Sequence, residues 1–476
     1  MAKKRVRRRT PARRATPTAR RRTAAAARTR RASRGRVTGI EHVIIVMMEN
    51  RSFDHMLGYL NLPPWNVQRP AVDGVSTDPA WIHRFTNMLD GRPFPPFAFT
   101  ERRIDDPPHT RATIATQLGT SAGAAGTMTG FVASYAQRNQ RPRSLSHVMG
   151  YYTAAEVPVF DFFARNFTVC DRWFSSLPTG TQPNRLMALA GFTKIADNAA
   201  LFLPDQDLVY DWLTARGIRW RVYHDGIVPF IGLMPQWMEP IREDDRKTLA
   251  DDPRFRWLDS FENDLKQPDP FPSIVFIEPD YTDIPFGHSA PPNDDHPPSS
   301  IDFGQRLLAR IYRAVSATSA IWSRCAIILS YDEHGGFFDH VEPPAIGTPP
   351  AGRYDPFSSL GVRVPAFVIS PFVEAGTVSH GLFDHTSVLQ LLADIFGDGT
   401  YSADVDRRHQ GTPALDRLTS VLTRDVARPD VPPPPDVGVT HEMSENEKAF
   451  HEAVSVLRER YPEHVADYLR TDVQAP

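Results

Sequence analysis

Cysteine and long apolar runs are both scarce in this sequence. Only two of the 476 residues are cysteines, Cys170 and Cys325, and both lie in apolar surroundings typical of buried side chains. Neither a disulfide framework nor a zinc-thiolate site is indicated, although one disulfide between the two stays open. The longest apolar run is residues 43–48, whereas a membrane-spanning helix needs about 18 apolar residues. We therefore do not expect an integral membrane protein.

Acidic residues are absent from the first 36 residues, which contain 16 Lys or Arg. The whole chain has 54 basic and 56 acidic residues, so the remainder is strongly acidic. Residues 1–38 have few large apolar side chains, which predicts a disordered Arg-rich tail. This tail is either a solvated segment or an arm that contacts a polyanion, such as nucleic acid or anionic lipid. No apolar stretch follows its basic start, so no export signal is readable and the default location is the cytoplasm.

Runs of Val, Ile and other apolar residues predict buried strands at 40–48, 273–277, 326–329 and 364–369, with a weaker candidate at 218–223. Helical spacing of apolar residues separates them, for example from Leu307 to Val315 and from Val388 to Ile395. Asp384 or Thr386 is available as a cap for the second helix. Alternating strands and helices predict an α/β fold with three layers, α/β/α, around a largely parallel central sheet.

Proline is abundant, with 44 residues, and many of them lie in long loops such as those within 56–130. We predict one large domain at residues 39–426, followed by a Pro-rich linker at 427–441. A C-terminal helical segment at 442–476 is predicted from the capping box formed by Ser444 and Glu447.

Polar residues follow two of the predicted strands at the point where active sites form in α/β sheets. Glu49 and Asn50 come directly after the first strand, and Asp332 and Glu333 follow the strand at 326–329. Adjacent carboxylates repel each other unless a cation lies between them. This oxygen-rich set favours a hard divalent ion, and ordinary polar turns are the alternative.

A third segment, residues 180–185, precedes an apolar helical run and has the form of a loop that leads into a helix N-terminus. Such a terminus binds phosphate well. Near a metal ion the Thr181 hydroxyl could act as a nucleophile, while Asn184 and Arg185 could hold phosphoryl oxygens. The alternative is a threonine cap with structural Asn and Arg side chains.

Four histidines lie in polar loops, and each alone has a structural explanation. His109 and His296 are flanked by prolines, and His340 and His385 each follow an aspartate. Together they indicate candidates for proton transfer and substrate binding.

Several motifs occur in an order that resembles the bacterial phosphoesterase family of phospholipases C and acid phosphatases, within the alkaline-phosphatase-like superfamily. They are ENRSFDH at 49–55, FTVCDRWFSSLPTGTQPNR at 167–185, DDHPPSS at 294–300, YDEHGGFFDHVEPP at 331–344, and GVRVPAFVISPFV with FDHTS between 361 and 387. The resemblance runs from about residue 40 to about residue 398.

The resemblance implies a metal-dependent hydrolase that forms a phosphothreonine intermediate at Thr181. One divalent ion, Ca, Mg, Mn or Zn, would be held by Glu49, Asn50, Asp332 and Glu333. His109, His296 and His340 would be catalytic, and Asn184, Arg185 and His385 would bind the substrate. The implied substrate is a phosphodiester, namely a phospholipid head group, and similar proteins are often exported.

Two departures from the family pattern bear on the substrate. Members often have a Gly-Lys-Met-Asp-Gly-Phe stretch where this chain has Gly126-Thr127-Met128-Thr129-Gly130-Phe131. We also do not expect the additional C-terminal β domains of longer phospholipases C. One alternative is an acid phosphatase for monoesters. The alternative of another class is a weakly active protein that binds nucleic acid or another polyanion through its basic tail. The oligomeric state does not follow from the sequence.

Overall fold

The computed structural model describes residues 39–438 except residues 68, 120–125, 139–141, 199–201, 238–248, 250–251, 268–270, 284–290 and 346–357. The tail predicted at 1–38 and the helical segment predicted at 442–476 lie outside the described residues.

The described chain alternates helices with short and medium strands. The strands of the central sheet are β1 His42–Met48, β2 Thr168–Cys170, β3 Trp220–His224, β4 Phe255–Trp257, β5 Ile274–Glu278, β6 Cys325–Tyr331, β7 Ala366–Ile369 and β8 Thr377–Ser379. The α-helices are α1 Phe53–Leu57, α2 Pro79–Phe85, α3 Arg111–Leu118, α4 Phe131–Ala136, α5 Pro158–Asn166, α6 Thr181–Ala190, α7 Val209–Ala215, α8 Phe261–Leu265, α9 Ile301–Ala317, α10 Ser319–Trp322, α11 Thr386–Phe396 and α12 Ala403–Gln410. Two small sheets pair Asn87–Leu89 with Arg92–Phe94, and Phe97–Ala98 with Gly150–Tyr151.

The central sheet has eight strands in the order β8-β2-β7-β6-β1-β5-β3-β4. β1 lies between β6 and β5 and is parallel to both, and β3 is parallel to β5 and β4. Among the described strands of the central sheet, only β7 runs in the opposite direction, antiparallel to its neighbours β6 and β2. The sheet is therefore largely parallel, as the buried apolar runs predict, and the strand predicted at 364–369 is its antiparallel member.

Helices cover both faces of the sheet. On one face, Ile45 and Met47 of β1 line a cavity of about 40 Å³ together with Leu189 of α6 and Leu389 of α11. On the other face, Phe160 of α5 packs against Tyr331 of β6, with ring centroids 6.3 Å apart. Because successive strand residues point to opposite faces, β1 and β6 are buried on both sides. This confirms the three-layer α/β/α architecture.

The helix predicted from Val388 to Ile395 is α11, and its first N–H group is capped by a preceding carboxylate. The Asp384 carboxylate accepts hydrogen bonds from the Thr386 backbone N–H at 2.8 Å and from the Thr386 hydroxyl. Cys170 and Cys325 are buried free thiols, and burial raises the pKa of both. None of the helices in the described ranges has the length and apolar character needed to cross a bilayer.

Candidate active site

Two adjacent strand ends place four of the predicted site residues at one edge of the sheet. Met48 at the end of β1 is in register with Tyr331 at the end of β6, so Glu49 and Asp332 leave the sheet side by side. The Asn50 backbone N–H donates to Asp332 Oδ1 at 3.1 Å, and the Glu333 N–H donates to the same oxygen. All four side chains, Glu49, Asn50, Asp332 and Glu333, are buried. The structure thus brings the predicted metal ligands together.

The backbone at these strand ends adopts conformations that few residues tolerate. Asn50 has φ +60°, in the left-handed region where asparagine is among the few tolerated side chains. Gly335 has φ +63°, and a Cβ at this position would lie 2.2 Å from the Asn50 carbonyl oxygen. Only glycine therefore lets the two strand-end loops approach each other this closely.

The buried carboxylates have unsatisfied oxygens. Among the described residues, Glu49 Oε2, Asp332 Oδ2 and Glu333 Oε1 are buried and have no hydrogen-bond partner. Burial raises the pKa of Glu49 and raises that of Asp332 to about 6. Burial also opposes ionisation of Glu333, but His109 and nearby hydrogen bonds outweigh it and lower its pKa. Orphaned carboxylate oxygens suit a divalent ion, so these residues fit the predicted metal centre.

Arg185 of α6 supplies a positive charge to this edge. Its Nη2 lies 3.0 Å from Glu49 Oε1, and its Nε lies 3.4 Å from Asp332 Oδ2. Arg185 Nη1 donates to the Tyr281 hydroxyl, which in turn donates to Glu278 Oε2 at 3.0 Å. The guanidinium is almost fully buried, so this tether fixes its position between the two carboxylates.

Thr181 is the first residue of α6 and lies at the same edge. Its hydroxyl is 3.5 Å from Asn50 Oδ1, at the outer limit of a hydrogen bond. The Asn184 amide accepts from the Leu177 N–H and donates to the carbonyl oxygens of Leu177, Thr179 and Gly180. Asn184 therefore stabilises the loop that precedes Thr181. A contact between Asn184 and a phosphoryl oxygen remains a prediction.

His109 and His296 lie next to each other, with ring centroids 5.7 Å apart. His109 Nε2 is 3.4 Å from Asn50 Nδ2, which connects this pair to the strand-end site. Burial lowers the pKa of His109, but Glu333 and Asp106 outweigh it and raise the pKa to about 9. The sequence interpretation overlooked Asp106, although its spacing of three residues from His109 was a signal.

His385 also reaches the strand-end site, from the start of α11. His385 Nε2 is 2.6 Å from the Asp332 carbonyl oxygen, and the Trp173 indole N–H donates to His385 Nδ1. Because Nδ1 accepts, Nε2 carries the proton and donates to Asp332. Burial lowers the pKa of His385 to about 4, so the ring is neutral and supports the end of β6. A contact between His385 and the substrate remains a prediction.

His340 belongs to a different group of charges. Its Nδ1 is 2.6 Å from Asp54 Oδ2, and its Nε2 is 3.0 Å from Asp73 Oδ1. The buried Arg363 guanidinium donates to Asp54 and to Asp339 in the same network. The structure thus does not place His340 in contact with the other predicted site residues, and its catalytic role stays a prediction. Nothing in the local sequence links Arg363 to these acids.

Comparison with known proteins identifies the family of the chain. Residues 40–397 match the model of the Phosphoesterase family. The chain is similar to non-specific phospholipase C3 from Arabidopsis thaliana, with 32% identity over 90% of this chain and 86% of that protein. It is also similar to phospholipase C A from Mycobacterium tuberculosis, with 29% identity over 76% of this chain and 74% of that protein.

Solved structures give more distant matches. The phosphonate monoester hydrolase of Agrobacterium radiobacter aligns at 11% identity with a TM-score of 0.36, covering 75% of this chain and 73% of that chain. The lipoteichoic acid synthase LtaP from Listeria monocytogenes aligns at 9% identity with a TM-score of 0.36, covering 94% and 98%. The family match over most of the chain confirms the resemblance in the motifs. The chain belongs to the phosphoesterase family and is a phosphoester hydrolase.

Proposed function

We propose that this enzyme is a phospholipase C-type phosphodiesterase that uses Thr181 as its nucleophile and forms a phosphothreonine intermediate. The observation that carries the proposal is the position of the Thr181 hydroxyl, 3.5 Å from Asn50 Oδ1 at the edge where Glu49, Asp332 and Glu333 have unsatisfied oxygens. The phospholipase C names of its relatives support the choice of a diester substrate.

The position of Thr181 at the start of α6 supports its role as the nucleophile. The N-terminus of α6 carries the positive end of the helix dipole, which favours a phosphoryl group. Asn184 fixes the preceding loop through its amide, which limits the motion of the hydroxyl. A positioned hydroxyl loses less entropy on reaching the attack geometry than a mobile one.

Glu49, Asn50, Asp332 and Glu333 would hold the divalent ion that the family requires. When bound, such an ion lowers the pKa of a neighbouring hydroxyl and offsets charge on phosphoryl oxygens. Arg185 adds a fixed positive charge beside the same carboxylates. The alcohol oxygen that leaves also gains negative charge, and the His109–His296 pair lies beside Asn50, where it can offset that charge.

The test of the nucleophile compares Thr181→Ala with Thr181→Ser. Thr181→Ala should lower kcat for p-nitrophenylphosphorylcholine by at least about 10³-fold, because no other hydroxyl replaces the attacking oxygen. Metal content, measured on the same preparations, should not change. Thr181→Ser keeps an oxygen at the same place and should retain activity within about tenfold. Undiminished turnover by Thr181→Ala would sink the assignment.

The substrate class is tested on the wild-type enzyme with two chromogenic esters. Hydrolysis of p-nitrophenylphosphorylcholine well above that of p-nitrophenyl phosphate supports the phosphodiesterase. Faster hydrolysis of p-nitrophenyl phosphate would instead indicate an acid phosphatase. Addition of Mg, Ca, Mn or Zn after chelation should restore activity and identify the effective ion.

A further inference from the structure

A buried glutamine on α3 joins two loops of the active site. Gln117 is fully buried. Its Nε2 donates to the Pro108 carbonyl oxygen at 2.6 Å, and its Oε1 lies 2.8 Å from His334 Nε2. Pro108 directly precedes His109, and His334 directly follows Glu333. The Gln117 amide therefore connects the loop that contains His109 to the loop that contains Glu333.

The contacts of the amide fix its orientation and the tautomer of His334. The Pro108 carbonyl oxygen only accepts hydrogen bonds, so the amide atom that faces it is the nitrogen. The amide oxygen then faces His334, and only a protonated Nε2 can donate to it. The amide nitrogen also donates to the Ser134 hydroxyl at 3.1 Å. Both N–H groups and the carbonyl oxygen of the side chain are thus used in a single orientation.

His334 connects this glutamine to the carboxylate of Glu333. The His334 side chain is 1% exposed, and its Nδ1 lies 3.3 Å from Glu333 Oε2. The Phe131 ring packs against the imidazole, with centroids 6.2 Å apart and planes at 83°. Glu333 Oε2 also accepts from the Gly335 N–H at 2.9 Å, so Oε1 is the oxygen that stays available for an ion. The anchored imidazole therefore limits the directions that this carboxylate can take.

The other end of the bridge fixes the segment that holds His109. His109 Nδ1 donates to the Pro107 carbonyl oxygen at 2.8 Å, and Gln117 binds the next carbonyl oxygen along the chain. Gly336 lets the two loops approach, because its φ is +75° and a Cβ there would lie 2.8 Å from Pro107 Cβ and from the Pro108 carbonyl oxygen. The direction of the His109 ring thus depends on backbone that Gln117 anchors.

We propose that Gln117 is a positioning residue of this enzyme, which sets the direction of Glu333 through His334. Through the Pro108 carbonyl it also sets the direction of His109. The inference rests on the proposed function, in which Glu333 holds the divalent ion. Groups that hydrogen-bond behind metal ligands fix the ligand direction, and their loss costs about 10–100-fold in metal affinity or activity.

The test compares Gln117→Met with Ser134→Ala. Methionine is similar in length but lacks the donor and the acceptor of the amide, so this variant releases both loops. Ser134→Ala removes the third contact of the same amide and leaves the bridge intact, which makes it the matched control. Calorimetric titration of the full chain with Mn²⁺, after a chelator has stripped it, should show about 10–100-fold weaker binding for Gln117→Met. Ser134→Ala should bind Mn²⁺ like the wild type.

Turnover of p-nitrophenylphosphorylcholine at saturating Mn²⁺ gives a second readout. For Gln117→Met, kcat should fall by at least about tenfold while KM stays within about twofold, because the bridge orients groups that act in the transition state. Ser134→Ala should keep both constants. A general loss of packing would not produce this split between the two variants.

His334→Phe is the second variant, because it keeps a ring in the same space and removes both nitrogens. Alone it should weaken Mn²⁺ binding by the same factor, and the double variant should bind no more weakly than the weaker single variant. Urea unfolding in the presence of chelator checks that each variant folds. Wild-type Mn²⁺ binding by either single variant, additive losses in the double variant, or an equal loss in Ser134→Ala would overturn the proposal and leave the diesterase function standing. A wild-type chain that binds no Mn²⁺ would overturn both.

Discussion

The Asp332 carboxyl group is fully buried, and its pKa is raised to about 6 by that burial. A metal ion binds the carboxylate and not the carboxylic acid, so the ion and the proton compete for this group. The direction of the pH dependence of metal binding follows from the pKa of Asp332 in the folded protein. Above pH 6 the group is already ionised, and below pH 6 a proton must leave before the ion binds.

We therefore expect the affinity for the hard divalent ion to fall by about tenfold per pH unit below pH 6. The fall should be steeper if Glu49, whose pKa is also raised, loses a second proton. Calorimetric titration with Mg²⁺ or Mn²⁺ in buffers of different ionisation enthalpy reports both the affinity and the protons released. An affinity that is constant from pH 7.5 to pH 5 in a folded protein would contradict the placement of Asp332 in the metal site.

The pKa of His340 is raised as well, but for a histidine this shift favours the charged form. Burial opposes its protonation, but Asp54 and hydrogen bonds to Asp54 and Asp73 raise its pKa to about 9 in the folded protein, above the usual 6.5. Its contribution to stability is fully present below pH 6.5 and is lost as the pH rises through 9. The unfolding free energies of wild type and His340→Gln should thus converge by about 2–3 kcal/mol between pH 6.5 and pH 9.5.

Urea unfolding at several pH values measures this difference. His380→Gln is the matched control, because its ring contacts a carboxylate of Asp171 but is 58% exposed. The control should show a pH dependence parallel to that of the wild type. A constant difference between wild type and His340→Gln across the same range would show that the ring is neutral in the folded protein.

At the scale of elements, the site depends on how closely the ends of β1 and β6 approach each other. An alanine at Gly335 would meet two costs, since its φ is +63° and its Cβ would lie 2.2 Å from the Asn50 carbonyl oxygen. Left-handed backbone alone costs about 1–2 kcal/mol for a non-glycine residue. The clash adds to this and displaces Asn50.

Gly335→Ala should therefore lower the free energy of unfolding by clearly more than about 2 kcal/mol and weaken metal binding as well. Gly217→Ala is the matched control, because Gly217 has φ +67° but no atom near the position of a Cβ. Gly217→Ala should lower the free energy of unfolding only by the cost of the left-handed backbone, and its metal affinity should equal that of the wild type. Chemical denaturation and metal titration on both variants separate the strain from the clash. Equal losses in the two variants would refute the argument.

The elements that could be predicted from the sequence are those with enough residues to show a pattern. β1 and β6 have seven residues each, of which five and seven are buried, so both are visible as apolar runs, and their polar ends indicate the site. β2, β4 and β8 have three residues each, too few for any period to appear. The antiparallel direction of β7 could not be predicted either, because the apolar pattern of a buried strand does not depend on its direction.

The residues of the candidate site also differ in whether they could be predicted from the sequence. Side chains that follow long strands, such as Glu49 and Asp332, could be predicted because topology brings the ends of parallel strands together. The tether of Arg185 by Tyr281 and Glu278 could not, because it joins segments far apart in sequence. Asp106 was overlooked, although it lies three residues before His109. His340 was grouped with the site by motif order, whereas its contacts are with Asp54 and Asp73.

At the scale of the whole molecule, one buried cation joins segments from distant parts of the chain. The Arg363 side chain is fully buried and donates to Asp54 and Asp339. It also donates to the backbone carbonyl oxygens of Asp73 and Asp171. A guanidinium suits this role because its fork of N–H donors reaches several acceptors in fixed directions.

Arg363→Met should lower the free energy of unfolding by about 3–5 kcal/mol, because it leaves the buried Asp339 carboxylate without a cation and leaves Asp54 with His340 alone. Arg363→Lys should recover only part of this loss, since an ammonium cannot reproduce the fork. Arg424→Met is the control: its pair with Glu374 is 2.7 Å long but partly exposed, and its loss should cost no more than about 1 kcal/mol. Urea unfolding at pH 7 measures all three variants. If Arg363→Met costs no more than Arg424→Met, the segments are held by apolar packing and the network is incidental to stability.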